Sequence, residues 1–134
     1  MEISFRQTSL KDGEKELFFL QSLESENING FQMKIPKNMK EFEKLLNKFI
    51  KDSENPDSGR VPQKVYWVEI NEKIIGIVKI RETLNENLKK IGGNIGYFVG
   101  KDYRNKGYGK KILKNALALF KNHKYIIITC NESN

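Results

Sequence analysis

Residues 104–109 read Arg-Asn-Lys-Gly-Tyr-Gly and stand between two segments of different periodicity. Residues 95–100 before them (IGYFVG) are typical of a β-strand, and residues 110–122 after them have the apolar spacing of an amphipathic helix. A glycine-containing loop that enters a helix can direct several backbone N–H groups toward one point, where the helix N-terminus adds unpaired donors and a partial positive charge. We therefore predict an anion site here, suited to a phosphate group.

The two glycines of this loop have separate roles. Gly107 can adopt a positive φ or approach a ligand without a Cβ, and Gly109 falls in the first helical turn, where a bare backbone allows close contact. The loop lacks the Gly-Lys-Ser/Thr ending of a P-loop and the G-x-G-x-x-G of a dinucleotide site. On spacing alone, a plain strand-to-helix turn explains the residues equally well. The flanking basic residues are Arg104, Lys106, Lys110 and Lys111.

The longer context of the loop carries a family resemblance. Arg104-x-x-Gly107-x-Gly109, after a strand and opening a helix, resembles the acyl-CoA pyrophosphate loop of the GNAT N-acetyltransferase superfamily. Residues 92–99 (GGNIGYFV) resemble the central strand of that superfamily, and residues 126–131 (IIITCN) resemble its next strand, which ends at an asparagine. The resemblance covers residues 65–131 best, and it favours the acyl-CoA loop over the plain turn.

The pattern along the chain predicts a single α/β domain over residues 1–134. The resemblance implies a GNAT-like mixed central sheet with helices on both faces. Helices are predicted from Asp12 to about Glu24, after Asn38, and over residues 110–122. Residues 27–35 and 52–62 are predicted loops, and residues 71–73 a hairpin turn. The predicted strands are residues 3–7, 64–70, 74–81, 91–99 and 125–130, the last of them parallel to 91–99.

Apolar residues at helical spacing define the expected buried faces. Asp12 is the expected cap of the first helix, and Asn38 with Glu41 three residues later forms a capping-box pattern in the second. The residues expected to face inward are Leu17, Phe18 and Leu20 in the first helix, Phe42, Leu45, Leu46, Phe49 and Ile50 in the second, and Ile112, Leu113, Ala116, Leu117 and Phe120 in the third.

The family resemblance implies a cosubstrate site. In the resembled superfamily a bulge separates the central strand from its parallel neighbour, and the pantetheine arm of CoA binds in the gap. Glycines within residues 91–99 are consistent with such a bulge. The resemblance implies acetyl-CoA as cosubstrate, a small-molecule or peptide amine as acceptor, and no metal. The implied cofactor-binding residues are Phe98, Val99, Arg104, Asn105, Lys106, Gly107, Tyr108, Gly109, Lys110 and Asn131.

Acetyl transfer from a thioester needs a donor for the oxyanion and groups that move protons from the amine and to the thiolate. Backbone N–H groups near Phe98 or Val99 are candidate oxyanion donors. Glu69, Glu82 and Tyr97 lie on or beside the central strands and are the candidate catalytic residues. Each of these three side chains is more often an ordinary strand-face or edge residue than a base, so the catalytic residue stays open.

Other polar residues carry weaker signals. Asn94 stands where sequences of this pattern often carry His, and Asn cannot act as a base. His123 is the only histidine, and we expect it at a helix C-terminus, where a cation is favourable. Cys130 is expected as a small buried hydrophobe in an apolar strand. No cluster of His, Cys and Asp has metal-ligand spacing.

The formal charge of +7 favours a lysine-rich solvated surface or attraction for an anionic ligand. Because the lysines are spread along the chain and no nucleic-acid motif is present, we expect no nucleic-acid partner. A basic nucleic-acid-binding domain is a hypothesis that the net charge alone motivates. No segment is long and apolar enough to span a bilayer, and the N-terminus has no signal-peptide pattern. With one cysteine, the composition favours a cytoplasmic location without membrane association.

The sequence stops at Asn134, shortly after the segment that resembles the second parallel strand. Complete members of the resembled superfamily continue with another helix and two strands, so we expect a C-terminally truncated GNAT-like domain. An unpaired sheet edge there would favour a homodimer. The leading hypothesis is an acetyl-CoA-dependent N-acetyltransferase. The alternative is a non-catalytic GNAT-like module that binds CoA or a partner.

Overall fold

Six strands and three helices make up the described part of the chain. The computed structural model describes residues 2–23, 27–28, 31–82 and 94–120, with the backbone alone at residues 27, 28, 31 and 32. In chain order the elements are β1 (Ser4–Gln7), α1 (Glu14–Gln21), β2 (Asn27–Ile28), β3 (Phe31–Gln32), α2 (Met39–Glu54), β4 (Lys64–Ile70), β5 (Lys73–Ile80), β6 (Ile95–Val99), a 3-10 turn (Lys101–Tyr103) and α3 (Tyr108–Leu117).

One antiparallel sheet, in the order β1-β4-β5-β6, forms the centre of the described structure. Successive side chains of a strand point to opposite faces, so the sheet buries two layers. Helices α1 and α2 pack over Trp67 and Phe98 on one face, and α3 packs over Val78 and Val99 on the other. The α/β fold with helices on both faces is confirmed. The predicted parallel strand at residues 125–130 lies outside the described residues.

Helix α2 begins at the cap that the sequence predicts. Asn38 Oδ1 accepts a hydrogen bond from the Glu41 N–H at 2.9 Å, which satisfies one of the unpaired donors of the first turn. The second hydrogen bond of the predicted capping box, from the Asn38 N–H to the Glu41 carboxylate, is not formed. Glu41 Oε1 instead accepts from the N–H of Lys37. The helix therefore has a one-sided cap.

The apolar stripe of α2 is confirmed at its centre. Phe42, Leu46 and Phe49 are buried, and they contribute to the core around Trp67. The predicted loop at residues 52–62 begins later than expected, since α2 continues to Glu54 and its carboxyl-terminal turn buries a carboxylate. The flanking positions of the predicted stripe, Leu45 and Ile50, are partly buried.

Helix α1 starts differently from the prediction. Gly13, and not Asp12, occupies the N-cap position. The Asp12 carboxylate instead accepts hydrogen bonds from Arg6 Nη1 and from Trp67 Nε1, both at 2.8 Å. The Gly13 N–H donates to Glu16 Oε1 at 2.8 Å, so the helix start is stabilised from its third residue.

The buried face of α1 is narrower than predicted. Leu17 and Leu20 are buried as expected, whereas the prediction for Phe18 is wrong because this side chain is 61% exposed. Phe19 packs against the core in its place. The helix ends at Gln21 and does not reach residue 24.

The connection after α1 and the connection between β4 and β5 both differ from the prediction. Residues 27–35, predicted as a loop, contain the short hairpin β2–β3. The turn between β4 and β5 consists of Asn71 and Glu72 alone, with φ of 51° and 67°. Two central residues with positive φ define a type I′ hairpin turn, which matches the twist of the strands. Lys73 already belongs to β5.

The bulge of the sheet lies in β5 and not in β6. Val68 of β4 pairs with Gly76, whereas Glu69 pairs with Ile74, so Ile75 is the extra residue of the pair. Strand β6 pairs with β5 without a register shift along its described length. The bulge that the resemblance places in the central strand is therefore absent from residues 95–99, and glycines 92 and 93 lie outside the described residues.

Helix α3 covers the second face of the sheet. Ile112, Ala116 and Phe120 are buried as predicted, and Leu113 is partly buried. The prediction for Leu117 is wrong, because this side chain is 40% exposed at the last residue of the helix, beside the stripe set by the buried residues.

None of the helices in the described ranges combines the length and the hydropathy that crossing a bilayer requires. Within the same ranges, no group of three or more His, Cys, Asp and Glu side chains is placed to hold a metal ion.

Candidate functional site

The chain between β6 and α3 forms an exposed loop that contains two residues with positive φ. Gly107 is the N-cap of α3 and has φ 83° and ψ 5°, in the left-handed region that favours glycine. Asn105 has φ 61°, a conformation that Asn tolerates better than most residues. A Cβ placed on Gly107 would meet no atom within 4 Å. The positive φ expected of Gly107 is confirmed, and the space above it is open.

The first turn of α3 presents backbone donors at this loop. Gly107 has no side chain that would cap the helix, and no described residue accepts a hydrogen bond from the N–H of Tyr108, Gly109 or Lys110. The first bond of the turn runs from the Lys111 N–H to Gly107 O at 3.3 Å. The turn contains no acidic residue. Unpaired N–H groups and the positive end of the helix dipole are the features that bind an anion.

Side-chain contacts fix the loop against the end of β6. Arg104 Nε donates a hydrogen bond to Val99 O at 3.0 Å. The rings of Tyr103 and Tyr108 meet edge to face with their centroids 6.2 Å apart. Lys111 Nζ lies 5.5 Å from the centroid of the Tyr108 ring, close enough for a cation–π contact. The loop is thus held in its conformation by its own residues. The side chains of Lys106 in the loop and of Lys110 in the first turn of α3 are exposed.

The peptide groups of β6 alternate between two directions. The Gly100 N–H donates to Ile75 O at 2.7 Å, and the Arg81 N–H donates to Asn94 O at 2.8 Å. Both bonds belong to the continuous antiparallel register of β5 and β6. Since hydrogen-bonded pairs recur at every second residue of such a ladder, the even-numbered residues of β6 bond to β5. The peptide groups of the odd-numbered residues point to the outer edge of the strand.

This alternation gives Phe98 and Val99 different positions. Phe98 pairs with Ile77 through its peptide groups, and its side chain lies in the core under α1 and α2. The peptide groups of Val99 point outward, where its C=O accepts from Arg104. No described residue accepts a hydrogen bond from the Val99 N–H. Of the two, Val99 therefore presents a backbone donor beside the loop.

Tyr97 is the candidate catalytic residue that lies against the loop. Its side chain is buried on the face of the sheet that α3 covers. A Cβ placed on Gly109 would lie 3.5 Å from Tyr97 Cε2 and 3.7 Å from the Tyr97 hydroxyl. The absence of a side chain at Gly109 thus lets the first turn of α3 pack closely over the tyrosine ring.

Glu69 lies on the opposite face of the sheet, in an ion cluster. Its Oε1 accepts from Arg6 Nε at 3.0 Å, and Lys15 Nζ is 3.7 Å from its Oε2. The hydrogen bond from Arg6 holds the pKa of this carboxyl below its usual range. A lowered pKa makes Glu69 a weaker base. Its ion pairs with Arg6 and Lys15 give this carboxylate a structural role.

Glu82 lies away from the loop. It is exposed and follows β5, whose carboxyl end meets the amino end of β6 because the two strands are antiparallel. The loop follows the other end of β6. Asn94, at the same end as Glu82, donates from Nδ2 to Arg81 O at 2.7 Å and so serves the backbone. The structure therefore brings together the loop, Val99 and Tyr97. Asn131, His123 and Cys130 lie outside the described residues.

Comparison with known proteins assigns the chain to a family. Residues 22–134 match the family model described as Acetyltransferase (GNAT) family. The chain belongs to the GNAT acetyltransferase family. A solved GNAT-family acetyltransferase from Streptococcus pneumoniae is similar, with 26% sequence identity and a TM-score of 0.53 over 90% of this chain and 68% of that chain. A comparison with curated proteins finds no match.

Two buried cations of this GNAT domain were not singled out from its sequence. Lys79 is 5% exposed and Arg81 is 8% exposed. Lys79 lies in β5 and Arg81 directly after it, so the two side chains share the face of the sheet on which α2 packs. The signal in the sequence is a lysine and an arginine that alternate with Val78 and Ile80 in a strand that is otherwise apolar.

The environment of Lys79 disfavours its charge. Burial lowers the pKa of its ammonium group to about 7, and the neighbouring cations Arg81, Lys48 and Arg60 add to this effect. Asp52 opposes the shift. Burial also lowers the pKa of the Arg81 guanidinium.

We predict that Lys79→Met stabilises this GNAT domain by about 1–2 kcal/mol at pH 6, because it removes a buried charge. A lysine whose pKa is lower in the folded than in the unfolded state destabilises the fold fully below its folded pKa, here about 7, and this cost disappears as the pH rises toward the unfolded value of 10.5. The gain should therefore shrink at pH 9.5. Urea unfolding at both pH values measures it, with exposed Lys64→Met as the control. An equal gain at both pH values would contradict the assignment.

Proposed function

We propose that this chain is an acetyl-CoA-dependent N-acetyltransferase that acts on an amine acceptor. The observation that carries the proposal is the first turn of α3, whose N–H groups have no acceptor among the described residues and follow the left-handed Gly107. Membership of the GNAT acetyltransferase family supports the same reaction class.

In this proposal the loop from Arg104 to Gly109 binds the diphosphate of CoA. The donors are the N–H groups at the start of α3, and the helix dipole adds a favourable field. The exposed ammonium groups of Lys106 in the loop and Lys110 in the first turn of α3 add charge attraction. Arg104 contributes differently, since its Nε holds the loop to Val99 O.

The outer edge of β6 then receives the thioester arm. Val99 supplies the N–H that points to this edge, so it is placed to bond either an amide of the arm or the carbonyl oxygen of the acetyl group. Phe98 contributes its side chain to the core, and its peptide groups remain bonded to Ile77. The proposal therefore assigns the backbone contact to Val99.

The reaction itself needs little covalent participation by the protein. The lone pair of a neutral amine attacks the thioester carbonyl, and a carbon–nitrogen bond forms as the carbon–sulfur bond breaks. The amine loses one proton, and the CoA thiolate takes one up. A backbone donor that faces the carbonyl oxygen stabilises the oxyanion of the tetrahedral intermediate. Among the three candidate catalytic residues, Tyr97 lies nearest to this path, with its ring against Gly109.

The test is CoA binding by calorimetry in a pair of matched variants. Gly107 and Gly59 have nearly the same φ, 83° and 84°, and a Cβ on either meets no atom within 4 Å. Alanine at either position therefore has the same backbone cost. We expect Gly107→Ala to raise the Kd for CoA by at least about tenfold, because the new methyl group stands where the diphosphate binds. Gly59→Ala should leave the Kd unchanged.

Pantetheine, which lacks the diphosphate, separates loop binding from arm binding. Its affinity should be the same in the wild type and in Gly107→Ala. Absence of a heat signal with CoA at millimolar concentration, or equal losses in the two glycine variants, would overturn the proposed site. CoA binding without acetyl transfer to any amine would identify the non-catalytic module instead.

A further inference from the structure

The solvent face of helix α3 carries charge of one sign. Its charged side chains are Lys110, Lys111 and Lys114, all three are exposed, and the helix contains no acidic residue. Helix α2 differs, because its exposed face mixes lysines with glutamates. Mixed signs are typical of a helix face that contacts water alone. The uniform charge of α3 therefore favours contact with an anion.

A groove of about 430 Å³ lies between α3 and the chain that enters β1. It is lined by Glu2, Ile3, Lys111, Lys114 and Asn115. Lys111 and Lys114 are three residues apart, so their side chains lie on the same side of the helix. Asn115 Nδ2 lies 3.5 Å from Ile3 O and connects the helix to the other wall of the groove. No described carboxylate, that of Glu2 included, is within ion-pair distance of either lysine.

The groove lies at the same end of the sheet as the proposed cosubstrate loop. Ser4, the first residue of β1, pairs with Glu69 near the end of β4. Val99, the last residue of β6, pairs with Gly76 near the start of β5. Because a two-residue turn joins β4 to β5, the start of β1 and the end of β6 are at one end of the sheet. A ligand bound at the loop can therefore reach the groove along α3.

The two lysines of the groove follow the start of the helix closely. Lys111 is four residues after Gly107 and Lys114 is seven, which is about 6 Å and about 10 Å along the helix axis. Lys111 Nζ lies 5.5 Å from the centroid of the Tyr108 ring, so this cation stays near the first turn. The groove thus adds a second position for an anion beside the helix start.

We propose that Lys111 and Lys114 bind the 3′-phosphate of CoA, so that the protein selects CoA over dephospho-CoA. The inference rests on the proposed use of acetyl-CoA. The ribose of CoA carries the diphosphate on its 5′ oxygen and a further phosphate on its 3′ oxygen, so one sugar ring separates the two anionic groups. With the diphosphate at the N–H groups of the helix start, the 3′-phosphate reaches the side of the same helix. Ammonium groups bind phosphate through charge-assisted hydrogen bonds.

The two anion positions differ in the groups that bind. The helix start offers backbone donors and the helix dipole, whose effect falls off within the first turn. Lys114 lies beyond that turn, so an anion beside it depends on the charge of the side chain. Substitution of Lys114 should therefore leave the diphosphate position intact, and substitution of Gly107 should leave the lysine position intact.

The test is calorimetry with CoA and with 3′-dephospho-CoA, which differ by that phosphate alone. We expect the wild type to bind CoA at least about tenfold more tightly than dephospho-CoA. Lys114→Met should reduce this ratio to about threefold or less by weakening CoA binding alone, and Lys111→Met should act in the same direction. Lys44→Met is the control, because it removes the same charge from an exposed position of α2, on the opposite face of the sheet. It should leave the ratio unchanged.

Gly107→Ala separates this inference from the proposed function. Both ligands contain the diphosphate, so this variant should weaken both by the same factor and preserve the ratio. Equal Kd values for the two ligands in the wild type, or a loss in Lys114→Met that is equal for both ligands or shared by Lys44→Met, would overturn the 3′-phosphate site. Either result leaves the proposed function intact as long as Gly107→Ala weakens CoA binding. Absence of CoA binding to the wild type would overturn both proposals.

Discussion

Replacing Asp12 by alanine should destabilise the fold by about 3–4 kcal/mol. The Asp12 side chain is 2% exposed and makes bonds to three parts of the chain. Its Oδ1 accepts from Arg6 Nη1 at 2.8 Å, and its Oδ2 accepts from Trp67 Nε1 and from the Ser9 N–H, each at 2.8 Å. Removal leaves the N–H of a fully buried indole without its acceptor.

The measurement is urea unfolding followed by the fluorescence of Trp67, which is the only tryptophan in the chain. Circular dichroism provides the second probe, because the mutation changes the surroundings of the indole directly. Asp12→Asn should lose less than alanine, since an amide oxygen still accepts from the indole.

Asp57→Ala is the matched control for this prediction. Asp57 pairs with Lys51 in an ion pair whose two side chains are both mostly exposed. Such pairs contribute little to stability. The control should unfold at the same urea concentration as the wild type. A similar loss in Asp12→Ala and Asp57→Ala would contradict the argument from burial.

Replacing Gly76 by valine should destabilise the fold by about 3 kcal/mol or more and should also weaken CoA binding. A Cβ on Gly76 would lie 2.6 Å from the carbonyl oxygen of Phe98, which belongs to the backbone of β6 and cannot rotate away. It would also lie 3.4 Å from Ile112 Cδ1 on the inner face of α3. Relief of both contacts requires β6 to move, and the loop moves with it.

Thermal unfolding and CoA calorimetry on the same protein measure the two effects. Lys73→Val is the control, because Lys73 is an exposed residue of the same strand and valine is well suited to a strand. A Gly76→Val protein with wild-type stability would show that the sheet can absorb the side chain. Wild-type CoA affinity in a destabilised variant would separate the position of β6 from the loop.

The elements with strong local signals could be predicted from the sequence. Helix α2 has a cap at Asn38 and an apolar stripe, and both are local properties of the chain. The turn at Asn71 and Glu72 is short and lies between two apolar strands, so its position is also local. The left-handed conformation of Gly107 follows from the spacing of the loop and the helix.

Long-range contacts decided the places where the prediction was wrong. Asp12 is a good helix cap by propensity, but Arg6 and Trp67 bind its carboxylate and leave the N-cap position to Gly13. Phe18 and Phe19 are adjacent, and only the packing of α1 on the sheet shows which of them is buried.

The candidate site was predictable in its loop and much less so in its strand. Which residues of β6 present peptide groups outward depends on the register with β5, and a shift of one residue would exchange Phe98 and Val99. The lowered pKa of Lys79 depends in part on Lys48 of α2 and on Arg60, which are far from it in sequence. Pairwise charge effects of this kind become visible only in the folded chain.

The alternation in β6 has a consequence for how a protein of this kind can diverge. The peptide groups of odd-numbered residues such as Val99 point to the outer edge of the sheet, and their side chains point toward α3. The peptide groups of Gly96 and Phe98 bond to β5, and these two residues face α2 on the other side of the sheet. The contact that we propose between this strand and the cosubstrate uses a backbone N–H alone, which every residue except proline can supply. Side chains of this strand can therefore vary without loss of the shared donor.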